Sequence, residues 1–166
     1  MATASFQKEI QKKQAKGIQG DKATLNPVVY ADRNYVVDAD DTVTIGNFVW
    51  AVDTQPDGNV WRATNTGTGA PLGLVERWLG YFNFNLLDGG TLIVPKNSAL
   101  KIVRRGDMFA VSTTAATVGQ KVFAKLADGT LVTGAAESTI SGAVETTWSV
   151  MEGGEIGDII VISNWS

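Results

Sequence analysis

From Asp32 onward, turn-forming residues recur about every 8–12 positions, a spacing that leaves room for short strands and little for helices. The 18 glycines are spread along the chain rather than run together, as tight turns between strands require. The clearest unit is at residues 121–133. An Asp128-Gly129 pair between two alternating apolar segments predicts a β-hairpin. Residues 42–52 carry Val43, Ile45, Phe48, Val49, Trp50 and Val52, which predicts two strands, or one bulged at Gly46. In residues 55–59, Pro56 presets φ and Gly58 takes the left-handed position, so the chain turns there.

Further strands are predicted over residues 60–65, 72–78, 81–87, 91–94, 99–104, 108–112, 148–151 and 158–163. In residues 81–87, Phe82, Phe84 and Leu86 alternate with Asn83 and Asn85, a period of two with one dry face. The fold class that follows is all-β, an antiparallel β-sandwich or jelly-roll-like barrel. Its expected core is Val43, Ile45, Phe48, Trp50, Leu74, Phe82, Phe84, Leu100, Ile102, Val122, Phe123, Ile160 and Ile162, with Trp78 and Trp148 also inside.

The N-terminal stretch is of another kind. Residues 5–15 are good helix formers, but Phe6, Ile10 and Ala15 are too sparse to hold a helix on a core. Residues 16–27 are polar and turn-like. Residues 1–30 therefore read as an extended arm that gains order by docking on something else, and residues 31–166 as the β-body. Charge divides the same way. Up to Lys22, five lysines against Glu9 and Asp21 give +3, while nine basic and fifteen acidic residues beyond it give −6. A basic arm on an acidic body suits an acidic protein surface. Five lysines without arginine or interleaved aromatics do not make a nucleic-acid site.

The chemistry available is narrow. With no cysteine and no histidine, there is no disulfide framework, no thiolate or imidazole zinc site and no histidine-based triad. No pair of carboxylates is selected by spacing, and neither glycine-bearing loop, residues 20–22 or 66–71, has a phosphate-loop pattern. The expectation is a protein that is not an enzyme and takes no cofactor. Asp38, Asp40 and Asp41 form the only dense acidic cluster, but without the glycine and terminal glutamate of a calcium loop they read as a solvated turn rather than a metal site. Residues 1–20 hold no apolar run of signal-peptide length, and no stretch of about 18 apolar residues occurs. Synthesis in a cytoplasm, without a membrane partner, is expected. Trp61 and Trp165, beside a turn and near the C-terminus, are expected to be partly exposed, either as sugar platforms or as interface anchors. Arg104 and Arg105, at a strand end, are further interface candidates.

Three stretches carry a family resemblance. Ser5-Phe6-Gln7 leads a polar arm to Gly20-Asp21-Lys22-Ala23 and Asn26-Pro27. Val43-Thr44-Ile45-Gly46-Asn47-Phe48-Val49-Trp50 runs on to residues 65–75, and Thr117-Val118-Gly119-Gln120-Lys121-Val122-Phe123-Ala124 continues to Asp128-Gly129-Thr130. In order and spacing these resemble the structural cement, or head decoration, proteins of tailed phages. There an S-F-Q start, a G-D arm, a V-G-x-F-x-W strand and a G-Q-K-V-(Y/F)-A strand recur. The lysines at 12, 13 and 16 depart from the family's arm.

The resemblance implies a sandwich body that sits on the outer face of the capsid as a homodimer or homotrimer and bridges neighbouring major capsid subunits. Phe6 and Ile10 would anchor the arm in apolar pockets, and Lys8, Lys12 and Lys13 would pair with acidic capsid residues. The alternative is a receptor- or carbohydrate-binding module of a tail or fibre, using Trp61 or Trp165.

Overall fold

The computed structural model describes residues 16–52, 58, 60–78, 80 and 92–165. The helix-forming stretch at residues 5–15, the arm residues Phe6, Lys8, Ile10, Lys12 and Lys13, most of the turn at 55–59 and the strand at 81–87 with Phe82 and Phe84 lie outside them. Among the described residues there are fourteen strands and no helix. They are β1 (Val29–Tyr30), β2 (Tyr35–Val37), β3 (Val43–Thr44), β4 (Phe48–Ala51), β5 (Trp61–Thr64), β6 (Gly73–Val75) and β7 (Ile93–Val94). There follow β8 (Ala99–Leu100), β9 (Ile102–Arg105), β10 (Asp107–Val111), β11 (Lys121–Lys125), β12 (Leu131–Gly134), β13 (Ala143–Glu152) and β14 (Ile159–Ser163).

The fold is an all-β sandwich. One sheet has seven strands in the order β1-β9-β6-β4-β5-β2-β8, the other five in the order β10-β14-β13-β11-β12, and β3 with β7 makes a small third. Among the described pairs all are antiparallel except β2 with β5. Lys101 alone separates β8 at one edge of the larger sheet from β9 near the other, so that sheet must curl back toward itself.

The curl explains the composition of its strands. Successive residues of a strand point to opposite faces. Phe48, Trp50, Leu74 and Val103 pack with Met108, Val122, Trp148, Ile160 and Ile162 of the smaller sheet. Their neighbours Val49, Val75 and Ile102 pack on the inside of the curl with Val37, Val43, Ile45 and Val94. Both faces are dry here, and β4, β6 and the first half of β9 accordingly hold continuous apolar residues instead of an alternation. Phe48 and Trp148 meet edge to face across the sandwich, ring centroids 6.5 Å apart, a geometry worth about 0.5–1.5 kcal/mol beyond burial.

Two devices join the sheets. Between β9 and β10 the chain passes from one sheet to the other at Gly106, whose N–H donates to Asn164 Oδ1 at 2.9 Å, while Asn164 Nδ2 donates to the Arg104 carbonyl at 2.6 Å. The β11–β12 hairpin, formed where the Asp-Gly pair stands, docks its turn on β4: the Phe48 N–H donates to the Gly129 carbonyl at 2.8 Å and Asn47 Nδ2 to the Asp128 carbonyl at 3.2 Å.

All the expected core residues that are described are buried, except Trp78, which is 42% exposed. Strand β6 ends at Val75, where Glu76 and Arg77 interrupt the apolar residues, and Trp78 lies beyond it with Lys101 Nζ 4.6 Å from its ring centroid.

Candidate interaction surface

The described part of the N-terminal stretch runs along β10. Gly20 N–H donates to the Phe109 carbonyl at 2.8 Å, Phe109 N–H to the Asp21 carbonyl at 2.9 Å, and Ala23 N–H to the Asp107 carbonyl at 2.9 Å. Residues 20–23 thus cover the outer edge of the smaller sheet, the ordinary protection against edge-to-edge pairing. Ion pairs tie it further, Asp21 to Arg77 at 2.9 Å and Lys16 to Glu152 at 2.9 Å. At its end, Thr24 Oγ1 and Asn26 Nδ2 each donate to Asp107 Oδ2 at 2.7 Å.

Beyond this stretch, β1 is the outermost strand of the larger sheet. Its Val29 and Tyr30 are 48% and 38% exposed, where a buried edge would hide them. Lys22 sits beside them, 3.5 Å from Glu76 Oε1 and 5.9 Å from the Tyr30 ring centroid. Burial and then the Glu76 carboxylate push the Tyr30 phenol upward, and hydrogen bonding to Tyr30 with the Glu76 charge outweighs burial and raises the Lys22 ammonium. The lysine stays charged. Glu76 Oε2 is buried with no hydrogen-bond partner.

The four interface residues read from the sequence fall into two sets of contacts. Arg33 lies over Trp61, its guanidinium carbon 4.0 Å from the ring centroid. Asp32 is 3.9 Å from Arg33 and 3.9 Å from Arg104, and Arg105 lies over Trp165 at 5.5 Å. These ion pairs are exposed and add little stability; what they do is join Trp61 to Arg104 through Arg33 and Asp32. Arg33 covers one face of Trp61. Arg104 and Arg105 rim a groove of about 890 Å³ between the two sheets, whose walls include Val29 and Tyr30 of β1 and the Glu145–Thr147 part of β13.

Asp38 and Asp41 of the acidic cluster bond within their loop and to β5, where Arg62 is 3.9 Å from Asp38. Asp38 Oδ1 accepts from the Ala39 N–H at 2.6 Å, and Asp41 accepts from the Thr42 N–H and the Thr64 hydroxyl. Among the described residues no group of three acidic side chains converges as a metal site would need.

Sequence reasoning missed Arg33, Tyr30 and Lys101, because β1 and β2 are too short to show a period and their neighbours are distant in the chain. A signal was present in the spacing of Tyr30, Arg33 and Tyr35 after Pro27.

Comparison with known proteins fits this architecture. The family model described as XM1 gp53 minor capsid protein matches residues 6–164. A chain in the structure entitled "The capsid of Myoviridae Phage XM1" has a similar fold, with a TM-score of 0.61 at 13% identity over 96% of this chain and 97% of that one. The head fiber gp8.5 N base of bacteriophage phi29 is a looser likeness, with a TM-score of 0.46 at 14% identity over 78% of this chain and 91% of that one. No curated protein sequence matches the chain.

Proposed function

Because the chain belongs to the XM1 gp53 minor capsid protein family, and is thus a structural protein of the phage head, we propose that it is a cement protein of the shell's outer surface. In this reading it bridges neighbouring major capsid subunits as a homodimer or homotrimer. The observation that carries it is the family match over nearly the whole chain, residues 6–164, which takes in both the arm and the body. Physics supports the division of labour. A body of two packed sheets resists deformation, and a protein that binds only the expanded lattice stabilises that lattice by mass action. Many weak arm contacts, each engaged while the body is already bound, multiply in avidity. Phe6 and Ile10 are the arm's apolar anchors, and Lys8, Lys12 and Lys13 pair with acidic groups of the capsid.

The test is deletion of residues 2–15, which spares the stretch hydrogen-bonded to β10. The truncated chain should unfold at the same temperature as the full chain, and its binding to emptied, expanded shells should weaken by at least about a hundredfold. Undiminished co-sedimentation with shells would remove the arm from the mechanism.

A further inference from the structure

We propose that in the free chain residues 6–13 of the arm dock on one end of the smaller sheet of the same molecule, and must leave it to engage a shell. Three chain segments meet at that end. Ala116 and Gly154 exchange N–H···O bonds at 2.9 and 3.0 Å, and the Gly119 N–H donates to the Val150 carbonyl at 2.9 Å. Val118 therefore lies across from residues 151–153, about 5 Å away as paired strands are. The β13–β14 turn closes the same end, with the Gly157 N–H on the Ser112 carbonyl at 3.1 Å and the Glu155 N–H on Asp158 Oδ2 at 3.0 Å. Val118 and Ile156 are each 70% exposed and Met151 57%; apart from Leu25, these are the most exposed large apolar side chains among the described residues.

The place where the arm joins the body selects the occupant. Lys16 Nζ is 2.9 Å from Glu152 Oε1, so the arm begins beside the neighbour of Met151. Ile10 stands six positions before Lys16 and can reach up to about 20 Å from it. Ile156, four positions past Glu152, is at most about 14 Å from that residue. Charge agrees. Residues 112–120 and 151–158, which build this end, carry Glu152, Glu155 and Asp158 and no basic residue, and Lys121 borders them opposite Ser149. Among the described residues Glu155 and Asp158 have no ion pair, and Glu152 pairs with Lys16, which is the arm's own. Residues 6–13 bring Phe6 and Ile10, with Lys8, Lys12 and Lys13 against Glu9. The same end of a second copy would bring the same three acids and be repelled. The arm of a second copy would lack the tether, which gives the molecule's own arm an effective concentration on the order of millimolar. The contact is local and opens ahead of the body, so it leaves the temperature at which the body unfolds as it is. An arm held there is withheld from a shell, and apparent shell affinity falls with the docked fraction.

The chain has no cysteine, so a single pair can be introduced without background. In the full chain carrying Q11C and T117C, the latter at an exposed position, air oxidation should join the two at a rate independent of protein concentration. Adding F6S and I10S, or V118S and I156S, should slow that rate at least about tenfold with the melting temperature unchanged. A rate unaffected by either pair would mean that the tether alone brings the sulfurs together, and would overturn the proposal. So would a disulfide formed mainly between molecules, which would seat the arm on another copy. V118S/I156S without the cysteines, its arm released, should bind emptied shells at least about twofold more tightly than the parent. Weaker binding would make this end a shell contact and contradict the proposal. The disulfide is read without shells, so a chain that forms it but binds no shell would keep this inference and lose the cement reading.

Discussion

Replacing Gly129 by alanine is expected to destabilise the fold by about 3–5 kcal/mol. Its φ is +67°, where a side chain alone costs about 1–2 kcal/mol. A Cβ there would also stand 2.1 Å from the Phe48 carbonyl oxygen and 3.1 Å from Asn65 Nδ2. That oxygen is not free to move, because Asn65 Nδ2 donates to it at 2.8 Å. Nor can the turn withdraw without breaking the bond from the Phe48 N–H to the Gly129 carbonyl, and with it the docking of one sheet on the other. Urea unfolding of G129A beside G119A separates the two causes. Gly119 has a φ of +88° with nothing within 4 Å, so its substitution carries the backbone term alone. Equal losses for the two variants would mean that the hairpin turn is not pressed against β4.

Asp107 controls how stability depends on pH. Burial pushes its carboxyl upward, but hydrogen bonds from Ser163, Thr24 and Asn26 together outweigh burial and hold it below the ordinary aspartate value. A folded-state value below the unfolded one means that the carboxylate stabilises above the unfolded value. That contribution is lost as pH falls through the folded one. D107A should therefore cost about 1–3 kcal/mol near neutrality, since buried Ser163 and the two donors of the N-terminal stretch lose their common acceptor. The gap between variant and parent should narrow as the pH drops from about 5 toward 2. Chemical denaturation across that range measures it, and a gap that stays constant would show that the charged form of Asp107 is not what holds the stretch.

Local chemistry carried much of the fold into the sequence. The Asp-Gly hairpin stands where an Asp-Gly pair predicts it, and the division of residues 42–52 at Gly46 appears as β3 and β4. What escaped depends on distant partners. A period of two presumes one wet face, whereas Phe48, Val49 and Trp50 are all buried because the curl gives their sheet two dry faces. Trp78 was grouped with the core as an aromatic near apolar residues, but β6 ends at Val75 and the charged pair Glu76-Arg77 separates it from Trp78. Only residues 148–151 of β13 were expected, because Glu145, Thr146 and Thr147 are polar; they line the groove, where no strand covers them. The role of Asp107 leaves no local signal, since Thr24 and Asn26 are 83 and 81 positions away.

The surface was legible in its parts and not in its assembly. Trp61, Arg104, Arg105 and Trp165 were each picked out singly, as an aromatic or a basic residue beside a turn. Only the fold, through Arg33 and Asp32, joins Trp61 to Arg104, and sets Arg105 over Trp165. Composition excluded histidine and thiol chemistry before any coordinate was known, and a structural role in a phage head asks for neither.

The most direct test of the cement reading is the copy number of this chain in purified phage particles, measured by quantitative mass spectrometry against the major capsid protein. A protein that clamps the whole lattice repeats with it, so a ratio near one, or a fixed simple fraction, is predicted. A few copies per particle would place the chain at a vertex or tail and contradict that reading.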